Sequence, residues 1–87
     1  MGYLNKLVEL IQVLRSENGC PWDREQTHKS LRPNMLEEAY EAVDAMNSGD
    51  MLHLKEELGD VLLQVILHSQ IASEEHAFDI EDVAKGL

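Results

Sequence analysis

The chain has 87 residues, and 17 acidic against 7 basic side chains give it a formal charge of -10, which excludes gripping a nucleic-acid backbone by counterion release. A chain of this length makes one domain, residues 1–87, and hides only about 60% of the surface it exposes when unfolded, so it needs a metal or further copies of itself for stability. Cys20 is the only cysteine, which rules out an intrachain disulfide, and a lone thiol without a signal peptide fits a cytoplasmic protein.

Met1-Gly2 suggests N-myristoylation, but Lys6 stands where that signal wants Ser or Thr. Leu4, Leu7, Val8, Ile11 and Leu14 recur at helical spacing and predict a helix from Tyr3 to about Glu17, ending before Gly19. Leu10 and Val13 lie off that face and widen the apolar surface, which points to a subunit interface. Asn18 to His28 has no helical period and carries turn formers, so it reads as an ordered loop, with Thr27 or Ser30 starting a short turn.

Pro33 suits the first turn of a second helix, whose Leu36, Ala39, Tyr40, Val43 and Met46 make one apolar face. Asn47-Ser48-Gly49-Asp50 ends that helix and starts the next, with Gly49 as a left-handed cap and Asp50 as N-cap. The third helix, about Met51 to Ser73, is apolar nearly all round between Leu58 and Ala72, which predicts burial in the middle of the structure. Asp60, Gln64 and His68 draw one polar line along it. Its longest apolar run, Val61 to Leu67, is broken by Gln64 and falls far short of the roughly 20 residues a spanning helix needs, so no membrane is expected as a partner. Phe78 to Asp82 opens a fourth helix with Asp79 as its cap.

Two carboxylate pairs stand out. Glu38 and Glu41 on the second helix, and Glu57 and Asp60 on the third, are each three residues apart and so share a helix face. The short connection makes the two helices antiparallel neighbours. Glu41 and Glu57 are each eight residues from Gly49, and Glu38 and Asp60 each eleven, so the pairs stand at matching heights of roughly 12 and 16 Å along the hairpin. Four converging carboxylates repel one another unless protons or a divalent cation intervene. An all-oxygen ligand set favours Mg²⁺ or Mn²⁺, and Mg²⁺ commonly joins a few carboxylates to substrate phosphates. The expected substrate is therefore a polyphosphate, attacked in line by a water that the metal or a carboxylate orients. The plain alternative for either pair alone is a solvated acidic face; Glu37, Asp44 and Glu56 read as solvent-facing or as supports behind the ligands.

The segments Gly19-Cys20-Pro21-Trp22-Asp23, Leu36-Glu37-Glu38-Ala39-Tyr40-Glu41 and Glu56-Glu57-Leu58-Gly59-Asp60 resemble the MazG family of nucleoside triphosphate pyrophosphohydrolases, with the likeness running from about Leu4 to Val83. The resemblance implies an all-α fold, an antiparallel hairpin within a small four-helix domain, assembled as a homodimer or homotetramer. It implies Mg²⁺-dependent hydrolysis of NTPs or dNTPs between the α and β phosphates, releasing nucleoside monophosphate and pyrophosphate. Glu38, Glu41, Glu57 and Asp60 take the places of the magnesium ligands and catalytic groups, and Glu37 matches the motif's first glutamate. Family domains continue with more helix and a basic segment, so a chain ending at Leu87 is expected to be C-terminally incomplete.

Trp22 is a candidate for stacking on a nucleobase, with packing anchor as the plain alternative. Arg24, Lys29, Arg32 and Lys55 are the cations nearest the carboxylates in sequence and candidates for phosphate oxygens. Cys20 reads as a small buried hydrophobe. His68 lies about 12 Å along the helix from Asp60, too far to share its metal, and reads as a hydrogen-bonded core or interface histidine. His28, His53 and His76 carry little signal. Two other functions compete: a di-iron or di-manganese carboxylate protein, from the Glu-x-x-His match at Glu25 and His28, and a non-catalytic helical oligomerisation module.

Overall fold

The apolar periods and turn signals resolve into helices throughout. The computed structural model describes residues 2–87, and Met1, half of the Met1-Gly2 pair, lies outside them. The elements are α1 (Tyr3–Leu14), α2 (Pro21–Glu25), α3 (Arg32–Ser48), α4 (Met51–Glu74) and α5 (Ile80–Lys85), with no strand among the described residues. The all-α class is the one expected. The helices number five rather than four because the Asn18–His28 stretch, expected as a loop, contains α2. Pro21 presets the backbone at its start and the Cys20 carbonyl accepts from Arg24 N–H at 3.0 Å; a single turn is too short to show a period.

Helix α1 stops at Leu14, short of the expected Glu17, because the chain folds back over its own last turn. Cys20 N–H donates to the Leu14 carbonyl at 2.8 Å, and a Cβ on Gly19 would stand 2.2 Å from the Val13 carbonyl oxygen, so only glycine permits this approach. The turn before α3 is closed from both ends: Thr27 N–H donates to Ser30 Oγ and Ser30 N–H to Thr27 Oγ1, as the expected turn start there requires.

The hairpin turn forms as predicted. Gly49 adopts φ 75°, and one Asp50 carboxylate oxygen accepts from Leu52 N–H and His53 N–H at 3.1 and 3.2 Å. The face that α3 turns to α4, however, is not the expected apolar stripe. Leu36, Tyr40 (72% exposed), Val43 and Met46 face solvent, while Ala42 and Ala45 are buried. Small side chains let the two helices approach closely, and the period of the larger ones reveals a stripe without saying which neighbour it meets.

Helix α4 is the element against which α1, α3 and α5 all pack. The core consists of Ile11, Leu31, Ile66, Leu67 and Ile71, with Leu7, Val8, Leu14, Leu63 and Ile80 against it. Burial of α4 is thus confined to its C-terminal half. Leu58 and Leu62, expected to be enclosed, are exposed, since the core residues of α1 and α5 meet only the far end of α4. Helix α5 begins with a capping box in which Asp79 and Asp82 each accept the other's N–H. Among the described residues no helix is long and apolar enough to cross a membrane.

A single buried arginine ties the C-terminal ends of α1 and α4 to α2. Arg15, 8% exposed, donates through Nε and Nη2 to the two carboxylate oxygens of Glu74 at 2.8 and 2.9 Å, and through Nη1 to the carbonyls of Asp23 and Gln26. The hydrogen bond from Arg15 holds the Glu74 carboxyl below its ordinary value, against the opposing effect of burial. A depressed acid contributes stability above its unfolded pKa and loses it as pH falls through the folded one. Glu74→Gln is therefore expected to lower unfolding free energy at pH 7 by about 1–2 kcal/mol, discounted for the partial exposure of Glu74, with the difference vanishing under strongly acid conditions. Urea unfolding at both pH values checks it.

Candidate metal centre

The hairpin register delivers its two carboxylate pairs to one place. One oxygen from each of Glu38, Glu41, Glu57 and Asp60 lies within 4.8 Å of the others; the first three side chains are half-buried and Asp60 is exposed. All four residues singled out by spacing are brought together.

Convergence leaves polar atoms without partners. Oε2 of Glu38 and Oε2 of Glu57 are both buried and accept no hydrogen bond. An ionised carboxylate only accepts, so such an atom requires a proton or a cation. The Glu38 carboxyl is raised above its ordinary value by burial, then by the charges of Glu41, Asp60, Glu57 and Glu37. Glu41 is raised first by a hydrogen bond with Glu57, then by burial and the charges of Glu57 and Asp60, with a smaller opposing hydrogen bond from Glu38. Two carboxyls share a hydrogen bond only when one holds a proton. Orphaned acceptors in an all-oxygen set fit a hard divalent cation, which would take that proton's place.

His53, which sequence reasoning set aside, joins the site. Its Nε2 lies 3.4 Å from Glu57 Oε1, one turn away on α4, and the i, i+4 spacing of His53 and Glu57 was the available signal. Glu37, Asp44 and Glu56 are exposed, as expected. Among the described residues, none of the four basic candidates forms an ion pair with a carboxylate of the cluster. Arg24 donates to the Glu17 carbonyl, and Lys29 sits in the turn before α3, where its carbonyl accepts from Arg32. Lys55 is exposed two residues from Glu57, which turns it roughly 160° away around the helix. Trp22 is exposed at the rim of a cavity lined in part by Leu14, Leu63 and Gln64.

His68 is hydrogen-bonded, as the sequence suggested, and its partner is His28: the two Nδ1 atoms lie 2.7 Å apart. The rings are nearly parallel with centroids 5.0 Å apart, a separation equal to the contact plus about one ring radius on each side, so they meet edge to edge rather than face to face. Burial and the neighbouring His28 hold His68 below its ordinary pKa. His28 is thereby engaged in a tie between the turn before α3 and α4, and the four-carboxylate cluster contains no histidine, which removes the support for a Glu-x-x-His di-metal site.

A family model described as the MazG nucleotide pyrophosphohydrolase domain matches residues 26–87. The chain is 54% identical over 82 residues to the nucleoside triphosphate pyrophosphohydrolase/pyrophosphatase MazG of Thermotoga maritima, covering 94% of this chain and 32% of that protein. It is 44% identical over 88 residues to the nucleoside triphosphate pyrophosphohydrolase of Escherichia coli K12, covering 100% of this chain and 34% of that protein. The uncharacterized protein YabN of Bacillus subtilis is 55% identical over 78 residues, covering 90% of this chain and 16% of its own length. The chain thus spans about a third or less of these relatives.

An acid whose pKa is raised by folding favours the fold below its unfolded value and disfavours it as pH rises through the folded value. Without divalent cations, Glu38→Gln is therefore expected to melt a few degrees above the natural chain at pH 7.5, with the gap closing near pH 4. Addition of Mg²⁺ reverses the order at pH 7.5, because the natural chain gains the ion's binding energy and the variant lacks one of its ligands. Thermal melts with and without Mg²⁺ read both effects.

Proposed function

The chain belongs to the MazG nucleotide pyrophosphohydrolase family, and on that basis we propose that residues 1–87 act as one domain that hydrolyses nucleoside triphosphates to nucleoside monophosphate and pyrophosphate. The observation that carries this reading is the meeting of Glu38, Glu41, Glu57 and Asp60 with two buried carboxylate oxygens left unpartnered. These four would hold Mg²⁺, or Mn²⁺ in its place. When bound, the cation supplies neutralisation of charge on the phosphate oxygens as the bond between the α and β phosphates breaks.

The chain's own groups do the rest. Carboxylate oxygens not committed to a cation orient a water in line with the scissile bond and accept its proton. His53 positions Glu57. Arg24, Lys29 and Lys55 would meet the phosphate oxygens once the polyphosphate and its metal are bound at the acidic cluster.

The exposed stripe of Leu36, Tyr40, Val43 and Met46 supports association with a second copy as a homodimer or homotetramer, since a small domain that leaves such a row uncovered gains by pairing it. The same stripe is what an oligomerisation module without catalysis would need, so one experiment must separate the two.

Pyrophosphate release from a panel of NTPs and dNTPs separates them. Mg²⁺-dependent release is expected for at least one nucleotide, together with the matching monophosphate, and Glu57→Ala or Asp60→Ala is expected to lower it by about a thousandfold or more, as loss of a metal-assisted pathway requires. Release that persists in both variants contradicts the site. A protein that associates normally and turns over no nucleotide is the oligomerisation module instead.

A further inference from the structure

The two histidines that meet at the end of the hairpin away from Gly49 have few ways to arrange their protons. A hydrogen bond between the Nδ1 atoms of His28 and His68, 2.7 Å apart, needs one ring to donate and the other to accept. His68 Nε2 is buried with no partner, whereas His28 is exposed and its far nitrogen can be hydrated. The favoured tautomer therefore puts the His68 proton on Nδ1, donating to His28, and leaves a bare lone pair at His68 Nε2. The opposite assignment buries an N–H that nothing accepts.

An added proton has no good place in this pair. If His28 takes it, both its nitrogens donate, and His68 must move its own proton to the buried Nε2. If His68 takes it, Nε2 carries an unpaired N–H and a charge into a half-buried site. With both rings charged, two donors face each other and the bond is lost. The surrounding charges do not relieve this. Arg32 of α3 lines a hollow with His68, and Lys29 follows His28 in the turn. Among the described residues no carboxylate pairs with either ring: Glu25, the nearest acid to His28 in sequence, is exposed, and Asp60 lies two turns of α4 from His68. Asp23 of α2, with Asp79 and Glu81 at the start of α5, lines other hollows to which His68 does not contribute.

We propose that the His28–His68 pair is a pH-sensitive clamp between the turn before α3 and α4, shut when both rings are neutral and released when the pair is protonated. The turn it holds runs into the buried Leu31 and starts the helix that bears Glu38 and Glu41, while His68 stands on the helix that bears Glu57 and Asp60. Release frees that turn from α4, and the Gly49 end of the hairpin stays closed. The clamp needs no nucleotide and stands whether or not the domain hydrolyses one. Burial and the neighbouring His28 hold His68 below its ordinary value, in keeping with a pair that resists protons. A base held low by folding adds stability above its unfolded pKa and loses it as pH falls towards the folded one, so the clamp weakens in mild acid.

A double-mutant cycle of His28→Ala, His68→Ala and the two together separates the pair from the carboxylates, whose titration is common to all four proteins. Urea unfolding at pH 7.5 is expected to show a coupling of about fivefold in the unfolding equilibrium constant, the net worth of one hydrogen bond. At pH 5 the coupling is expected to be absent or reversed in sign. NMR of the ring nitrogens in the natural chain keeps the test independent of how the variants fold. His68 is expected to carry its proton on Nδ1 at pH 7.5 and to titrate below the ordinary histidine value. Exchange protection of Leu31 N–H, which donates to the Thr27 carbonyl at 3.1 Å, is expected to fall over the same pH range. No coupling at pH 7.5, coupling that persists unchanged at pH 5, a His68 proton on Nε2 at pH 7.5, or a His68 ring that titrates at or above the ordinary value would each overturn the proposal.

Discussion

Two helices that carry like charges to the same height are held together in spite of that charge. Glu38 and Glu41 meet Glu57 and Asp60 with an oxygen of each within 4.8 Å of the rest, and the helices stay paired because everything else in the hairpin favours contact. Ala42 and Ala45 form a thin seam between α3 and α4, Gly49 turns the chain in the left-handed conformation, and Asp50 caps the helix that follows. On the proposed reading, a fold that brings four acids together builds a place where a divalent cation would bind in exchange for protons.

The molecule divides its work along α4. The C-terminal half of that helix supplies Ile66, Leu67 and Ile71 to the core and is locked at its end by the Arg15–Glu74 pair. The half nearer the hairpin turn carries Glu57 and Asp60 and leaves Leu52, Leu58 and Leu62 exposed. Stability is concentrated away from the carboxylates, which leaves the hairpin end to hold groups that repel one another. Gln64 lies at the boundary between the two halves, polar but buried, where the acidic cluster gives way to the apolar cavity.

The hairpin and its carboxylates were legible because the signals are local or follow from counting. Gly49 and Asp50 mark the turn, and equal residue counts on either side of it place Glu38 against Asp60 and Glu41 against Glu57. Ties between distant segments were not legible. Arg15 and Glu74 are 59 residues apart and His28 and His68 are 40 apart, and nothing in local periodicity pairs a particular arginine with one of 17 acids. The outward turn of Leu36, Tyr40 and Val43 was missed for a related reason: a helical stripe shows that a face is apolar, but the seam with α4 went to the alanines instead. Helix α2 is a single turn, below the length at which any period can appear.

Binding of a divalent cation by the four carboxylates is the claim on which the rest turns, and Mn²⁺ gives it a direct readout because the free ion has a strong electron paramagnetic resonance signal that binding broadens. Mn²⁺ is added in steps at neutral pH to the chain and to Asp60→Asn. If Glu38, Glu41, Glu57 and Asp60 hold the ion, the free signal stays suppressed until the site is filled, excess Mg²⁺ restores it, and the variant shows free ion from the first additions. A signal that grows in proportion to added Mn²⁺ equally in both proteins would mean that the carboxylates converge without binding metal.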